Sequence, residues 1–249
     1  QAQELQTQVV EAYEQYQFHN IYQLVHNFCS VELGSFYLDI VKDRQYTTQA
    51  ESRARRSAQT AMYHLIEAMT RWMAPILSFT AEEIWQHIPG ARDDSVFFAT
   101  WYEDLAALPD DDPFGRRYWE QLVEVRDAVS RRLEALRNDK VIGSSLDAEV
   151  DLYCSPALQA DLERLGDELR FVLITSEARV HPLDQASAGS EPEAIGNERL
   201  VVAAAASPHA KCVRCWHHRA DVGRHETHPE LCGRCVENVE GAGEQRRYA

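Results

Sequence analysis

Cys212-Val-Arg-Cys215, followed at a distance by Cys232-Gly-Arg-Cys235, is the stretch on which the reading of this chain turns. Two Cys-x-x-Cys knuckles with residues 216–231 between them fit a four-thiolate zinc ribbon. Each knuckle turns tightly enough to aim both sulfurs at one ion, and the hairpin between them is expected to bring the second pair round. Gly233 lies inside the second knuckle, where a permissive backbone is useful. Two disulfides are the competing reading, but nothing else in the chain looks secreted. Four thiolates complete a tetrahedron and leave no position for water, so one structural zinc is expected. His217, His218, His225 and His228 lie beside or between the pairs and are expected to be solvated loop residues, since the cysteine set is complete.

Working outward, 249 residues with 45% hydrophobic content allow two domains or more with real cores. No run of about 18 apolar residues occurs, so no membrane partner is expected. The start, Gln1-Ala2-Gln3-Glu4, runs straight into a helical pattern and reads as part of something longer. Cys29 and Cys154 stand alone; free thiols beside a thiolate metal site point to a reducing, cytoplasmic setting. The net charge of −15 argues at first against nucleic acid. Its distribution softens that: residues 206–249 carry 7 Lys/Arg against 6 Asp/Glu, while residues 91–205 carry 12 against 24. A local basic surface is what phosphate requires.

Apolar residues at helical spacing (Val9, Tyr13, Tyr16, Ile21, Leu24, Val25, Phe28) predict helices over the first ninety residues. A second long helix is expected from about Glu51 to Met73, interrupted by Pro75. Thr80-Ala-Glu-Glu83 matches a capping box opening a short third helix. Residues 91–115, with Asp110 to Asp112 as a solvated run, read as a polar connection whose Val96-Phe97-Phe98 and Trp101-Tyr102 pack back on a neighbour. Leu122, Val125, Val129 and Leu133 share the face of another helix, ended by Lys140-Val-Ile-Gly143. Ala148, Val150 and Leu152 alternate with polar residues as a strand, and Ser155-Pro156 opens a helix. Phe171-Val-Leu-Ile-Thr175 reads as a buried strand and Leu200–Ala203 as another. The expectation is mainly α: a helical bundle over 1–90, a connecting segment over 91–115, a small α/β unit over 116–205 and a zinc ribbon over 206–249.

No phosphate cradle, nucleophile elbow or catalytic constellation is present. His26 and Cys29 share a helix but lack an orienting carboxylate, so a buried-core reading is preferred to a nucleophile. Binding chemistry is present. Lys42, Arg44, Tyr46, Arg53, Arg55 and Arg56 form one basic and aromatic stretch. Arg214, Trp216, Arg234, Arg246 and Arg247 decorate the cysteine-rich tail. Arginine pairs with phosphate and exposed rings stack on unpaired bases. Trp216 is open to two readings, a stacking platform or a local core.

Tyr16-Gln-Phe-His19, Phe36-Tyr-Leu-Asp39, Lys42-Asp-Arg-Gln-Tyr-Thr47, Arg56-Ser-Ala-Gln-Thr-Ala61 and Trp72-Met-Ala-Pro-Ile-Leu-Ser-Phe-Thr80, together with the cysteine tail, resemble bacterial isoleucyl-tRNA synthetase over essentially the whole chain. The resemblance implies an anticodon-binding bundle, a junction domain and a zinc-binding tail that contact isoleucine tRNA. It implies that ATP, magnesium, isoleucine activation and editing belong to upstream domains of the same polypeptide, because the signatures HIGH and KMSKS have no match here. The fragment alone is expected to be inactive, cytoplasmic and monomeric. The tail is also similar to the four-cysteine finger of the Fpg/Nei DNA glycosylases, but their N-terminal proline and glutamate are absent from Gln1-Ala2-Gln3. A purely structural zinc ribbon joining protein to protein is the third reading.

Overall fold

Leu5, Val9 and Ala12 form the buried stripe of helix α1 (Ala2–Glu14). Tyr16 ends that helix in a left-handed conformation, with φ at 56°, and the Gln17 amide turns back onto the Ala12 carbonyl at 2.8 Å. Helix α2 (Phe18–Asn27) follows and returns Ile21 and Val25 to the same core. The chain then widens into a π-helical stretch, Phe28–Tyr37, before α3 (Leu38–Thr47). Gly34 permits the wide turn: a Cβ there would meet the Cys29 carbonyl oxygen at 2.9 Å. Helix α4 (Arg53–Met73) lays Ala68 and Trp72 against α1 and α2. The indole N–H of Trp72 donates to Gln6 Oε1 at 2.9 Å, and Tyr13 donates to the Trp72 carbonyl at 2.6 Å. Each buried side chain of this size stabilises the fold by about 1.5–3 kcal/mol.

The computed structural model describes residues 1–109 and 111–248, and its packing groups the chain into two units. One holds Gln1–Asp39 and Arg55–Pro109; the other holds Ile40–Ala54 and the chain beyond Pro109. Asp110, part of the expected solvated run, lies outside the described residues. The first unit is helical. Its α5 (Ser78–His87) begins at Ser78, so Thr80 is not the cap. Leu77 takes the cap position, with its carbonyl accepting from the Ala81 amide at 2.8 Å. Glu82 instead accepts from Ser95 Oγ at 2.8 Å and from the Val96 amide at 3.1 Å, pinning the following loop. Of the residues expected to pack back from that loop, Val96 and Tyr102 are buried, whereas Phe97 and Phe98 are exposed.

The second unit carries a four-stranded sheet in the order β2-β1-β4-β3. Strand β1 (Ala148–Cys154) runs parallel to β2 (Glu177–Pro182) and antiparallel to β4 (Glu198–Ala206), with Leu152 opposite Val202. A short strand, β3 (Glu193–Ile195), closes one edge. Helix α6 (Arg116–Asn138) covers one sheet face with Leu122, Val125, Val129 and Leu133. Helix α7 (Pro156–Glu163) starts on Pro156 as expected, yet Ser155 does not cap it through its hydroxyl; that group donates to Glu198 at 2.5 Å. The expected strand at Phe171–Thr175 is corrected: Leu169–Leu173 is helix α8, buried on all sides and stopped by Ile174 at φ 54°. Among the described residues no helix is long and apolar enough to cross a membrane. The expectation of a mainly helical chain with a small α/β part and a four-cysteine tail holds.

Candidate zinc centre and nucleic-acid interface

The first knuckle is a tight hairpin. The Cys212 amide donates to the His217 carbonyl and the Trp216 amide to the Cys212 carbonyl, each at 2.9 Å. Closing that turn puts Trp216 at φ 66°, a conformation bulky residues avoid unless their surroundings impose it. The second knuckle is not part of a hairpin. Cys232 is the N-cap of helix α9 (Gly233–Glu240), which places Cys235 in its first turn. The exposed amides and dipole of a helix N-terminus favour thiolates there. Asp221 accepts from the Gly233 amide at 2.8 Å, and a Cβ at Gly233 would lie 2.8 Å from that same oxygen. Glycine there lets Asp221 approach closely; a larger residue would push that carboxylate away.

All four cysteines are free of disulfides and buried, and their sulfurs lie within 4.8 Å of one another. Cys215 and Cys232 Sγ are 3.7 Å apart. A zinc–sulfur bond of about 2.3 Å implies tetrahedron edges of about 3.8 Å, so the set fits a closed zinc site. Three of the four flanking histidines make contacts of their own. His217 is buried rather than solvated, with Nδ1 3.2 Å from the Cys215 carbonyl and its ring edge-on to Phe171. His218 Nδ1 meets the His209 carbonyl at 2.7 Å, and His228 meets Glu240 at 2.7 Å.

The tail is fastened by a buried charge cluster that sequence reasoning missed. Asp43 on α3 takes a two-pronged bond from Arg234, at 2.7 and 2.8 Å, and another from Arg246 at 2.5 Å. Glu244 lies 3.1 Å from Arg234 and balances the second positive charge. Both guanidiniums sit over the Phe171 ring, at 3.6 Å for Arg246 and 5.0 Å for Arg234. Burial alone would raise the Asp43 carboxyl; the charge and hydrogen bonds of Arg234, then the charge of Arg246, overcome it and hold the group well below the usual carboxylate range. Arg214 adds a bond to the Thr47 carbonyl at 2.7 Å and faces Cys235 Sγ at 3.8 Å. No local signal reveals this, because the partners of Asp43 lie far away in sequence.

Those contacts reassign several candidate RNA residues. Arg246 is 1% exposed, and it and Arg234 are taken up by Asp43, so neither presents its charge to solvent phosphate here. Arg44 is buried and Arg214 is half-buried against Thr47. Lys42, Arg53 and Arg56 are exposed, as is Arg247, whose backbone amide donates to Glu168 at 2.7 Å. Trp216 is 61% exposed and is not local core.

Comparison with known proteins agrees with this geometry. The family described as anticodon-binding domain of tRNA ligase matches residues 1–152, and the zinc finger found in FPG and IleRS matches residues 211–238. An isoleucine–tRNA ligase of Alkalilimnicola ehrlichii is 63% identical over 98% of this chain and 26% of its own length. That of Thioalkalivibrio sulfidiphilus is 63% identical over 100% of the chain and 26% of its own length. That of Pseudomonas paraeruginosa is 58% identical, again over 98% and 26%. The chain thus spans about a quarter of the length of these curated relatives. The glycosylase alternative is not favoured, since it explains the finger and leaves the helical match unexplained. With that match covering more than half its residues, the chain belongs to the family of anticodon-binding domains of tRNA ligases.

Proposed function

We propose that this chain is the tRNA-binding part of an isoleucyl-tRNA synthetase and recognises the anticodon stem-loop of isoleucine tRNA. Isoleucine activation with ATP and magnesium, transfer and editing belong to the remaining three-quarters of the longer polypeptide. Cys212, Cys215, Cys232 and Cys235 hold one structural zinc, with no open position for catalysis. The whole enzyme works as a monomer in the cytoplasm. The RNA-facing set is Lys42, Arg53, Arg56 and Arg247 for phosphates, with Trp216 as the ring that stacks on an unpaired base. Arg44, Arg214, Arg234 and Arg246 serve the protein scaffold.

The observation that carries this reading is Trp216. Its ring projects into solvent from a left-handed turn that the zinc knuckle itself closes. A large ring open to solvent is the form of a base-stacking platform. The test is Trp216→Ala in the full-length enzyme, with zinc content measured first. Loss of stacking costs about 1–3 kcal/mol per base and leaves the salt slope unchanged, whereas loss of Lys42 flattens the slope by about one charge. Unchanged tRNA affinity with zinc retained would show that the ring has no part in binding.

A further inference from the structure

We propose that the aromatic end of the first unit is a docking surface for protein, namely for the remainder of the longer polypeptide, and that RNA does not bind there. Phe79 is 93% exposed, Phe98 73% and Tyr16 80%. Tyr16 belongs to a run of four rings. Trp101 lies 5.9 Å from Tyr13, Tyr13 lies 6.0 Å from Phe18, and Phe18 lies 6.2 Å from Tyr16, measured between centroids. Beside Trp101 opens a groove of about 320 Å³ lined by Arg71, Pro75, Val96, Phe97 and Ala99. Free-standing proteins rarely leave large apolar patches open to water.

Charge decides what covers it. Residues 1–41 contain no lysine or arginine, and residues 72–115 contain only Arg92. The two cations near the groove are consumed internally. Arg71 and Arg92 both pair with Glu67, at 2.5 and 2.9 Å, and sandwich the Trp85 ring at 4.7 and 4.6 Å. Next to the exposed rings stand Glu11, Glu14, Glu103 and Asp104, all exposed. A nucleic acid brings phosphates with its bases, and this face offers them carboxylates instead of cations. The fitting partner is an apolar protein surface with a basic rim. About three-quarters of the length of the matched relatives lies outside this chain, which supplies such a partner in the same polypeptide. The groove takes one of its apolar side chains.

The inference rests on the reading of the chain as part of a longer ligase. Hydrogen–deuterium exchange of residues 76–79 and 96–101 tests it, in this chain and in the longer polypeptide that contains it, each with and without tRNA. The expected result is exchange at least about tenfold slower in the longer polypeptide, and no change on adding tRNA to the shorter chain. Phe98→Asp and Phe79→Asp in the longer polypeptide should abolish that protection while α1 and α4 exchange as before; both side chains are too exposed to be needed for folding. Equal rates in the two proteins would overturn the proposal, as would protection that appears in the shorter chain with tRNA or with rising protein concentration. If the shorter chain binds tRNA and the rates are equal, the docking surface alone is wrong. If it binds no tRNA, the underlying reading fails first.

Discussion

Replacing Asp43 with asparagine keeps the shape of the side chain and removes the charge on which two buried guanidiniums converge. In the native cluster Asp43 and Glu244 balance Arg234 and Arg246. After the substitution, Glu244 alone faces both, at 3.1 and 4.0 Å, and one positive charge is stranded on Phe171. Breaking a buried pair from one side costs about 3–5 kcal/mol, a large share of the stability of a unit of this size. Adding Arg246→Met should recover at least about 1 kcal/mol, because the stranded charge is then gone. Denaturant melts of the zinc-loaded chain, followed by a signal from the sheet-bearing unit, provide the measurement. Asp43 also sets an acid limit. Its carboxyl is held low in the fold, so its stabilisation is complete above the unfolded value of about 3.9 and is lost as pH falls through the lower folded value. In Asp43→Asn that part of the acid sensitivity disappears. A cost below about 1 kcal/mol, with the acid profile unchanged, would show that Asp43 does not hold the cluster together.

Chelating the zinc should release residues 211–248 and raise amide exchange at Asp43–Thr48, while the Trp72 core of the first unit stays protected; melting of that core would contradict the division into units. Cys154, whose thiol burial pushes up to about 12, should resist maleimide at pH 8 in the folded chain and react on denaturation, as mass spectrometry can follow; ready labelling of the native protein would show that β1 is open. The chain alone should make no isoleucyl adenylate, and isoleucine-dependent ATP–pyrophosphate exchange above a matched blank would contradict that.

Much of the fold is legible because its signals are local. The helical spacing of Val9 and Tyr13, the alternation of Ala148, Val150 and Leu152, and the Ser155-Pro156 start each depend on neighbours within a few residues. Phe171–Leu173 is different. A short run of apolar residues is buried equally well as strand or helix, and position in the crossover between β1 and β2 decides. Strand β2 escapes notice because Arg179 and His181 interrupt it with polarity; both are satisfied by Asp151 on the adjacent strand, at 2.7 and 2.8 Å. The zinc set is readable from spacing, since two knuckles must carry their own geometry. The role of Arg234 and Arg246 is not, because a guanidinium in a basic tail looks the same whether it meets phosphate or a carboxylate some 191 or 203 residues away. Trp216 could be flagged by its place after Cys215, but only its exposure in the fold shows that the ring is not core.

On the proposed function, this chain reads the isoleucine anticodon. Fluorescence titration of the zinc-loaded chain with tRNA carrying that anticodon, beside an otherwise identical tRNA with a mismatched anticodon, tests it most directly. Quenching of Trp216 and at least about tenfold tighter binding of the matched tRNA, about 1.4 kcal/mol of discrimination, are expected. Equal affinity for the two, or no binding to either, would contradict it.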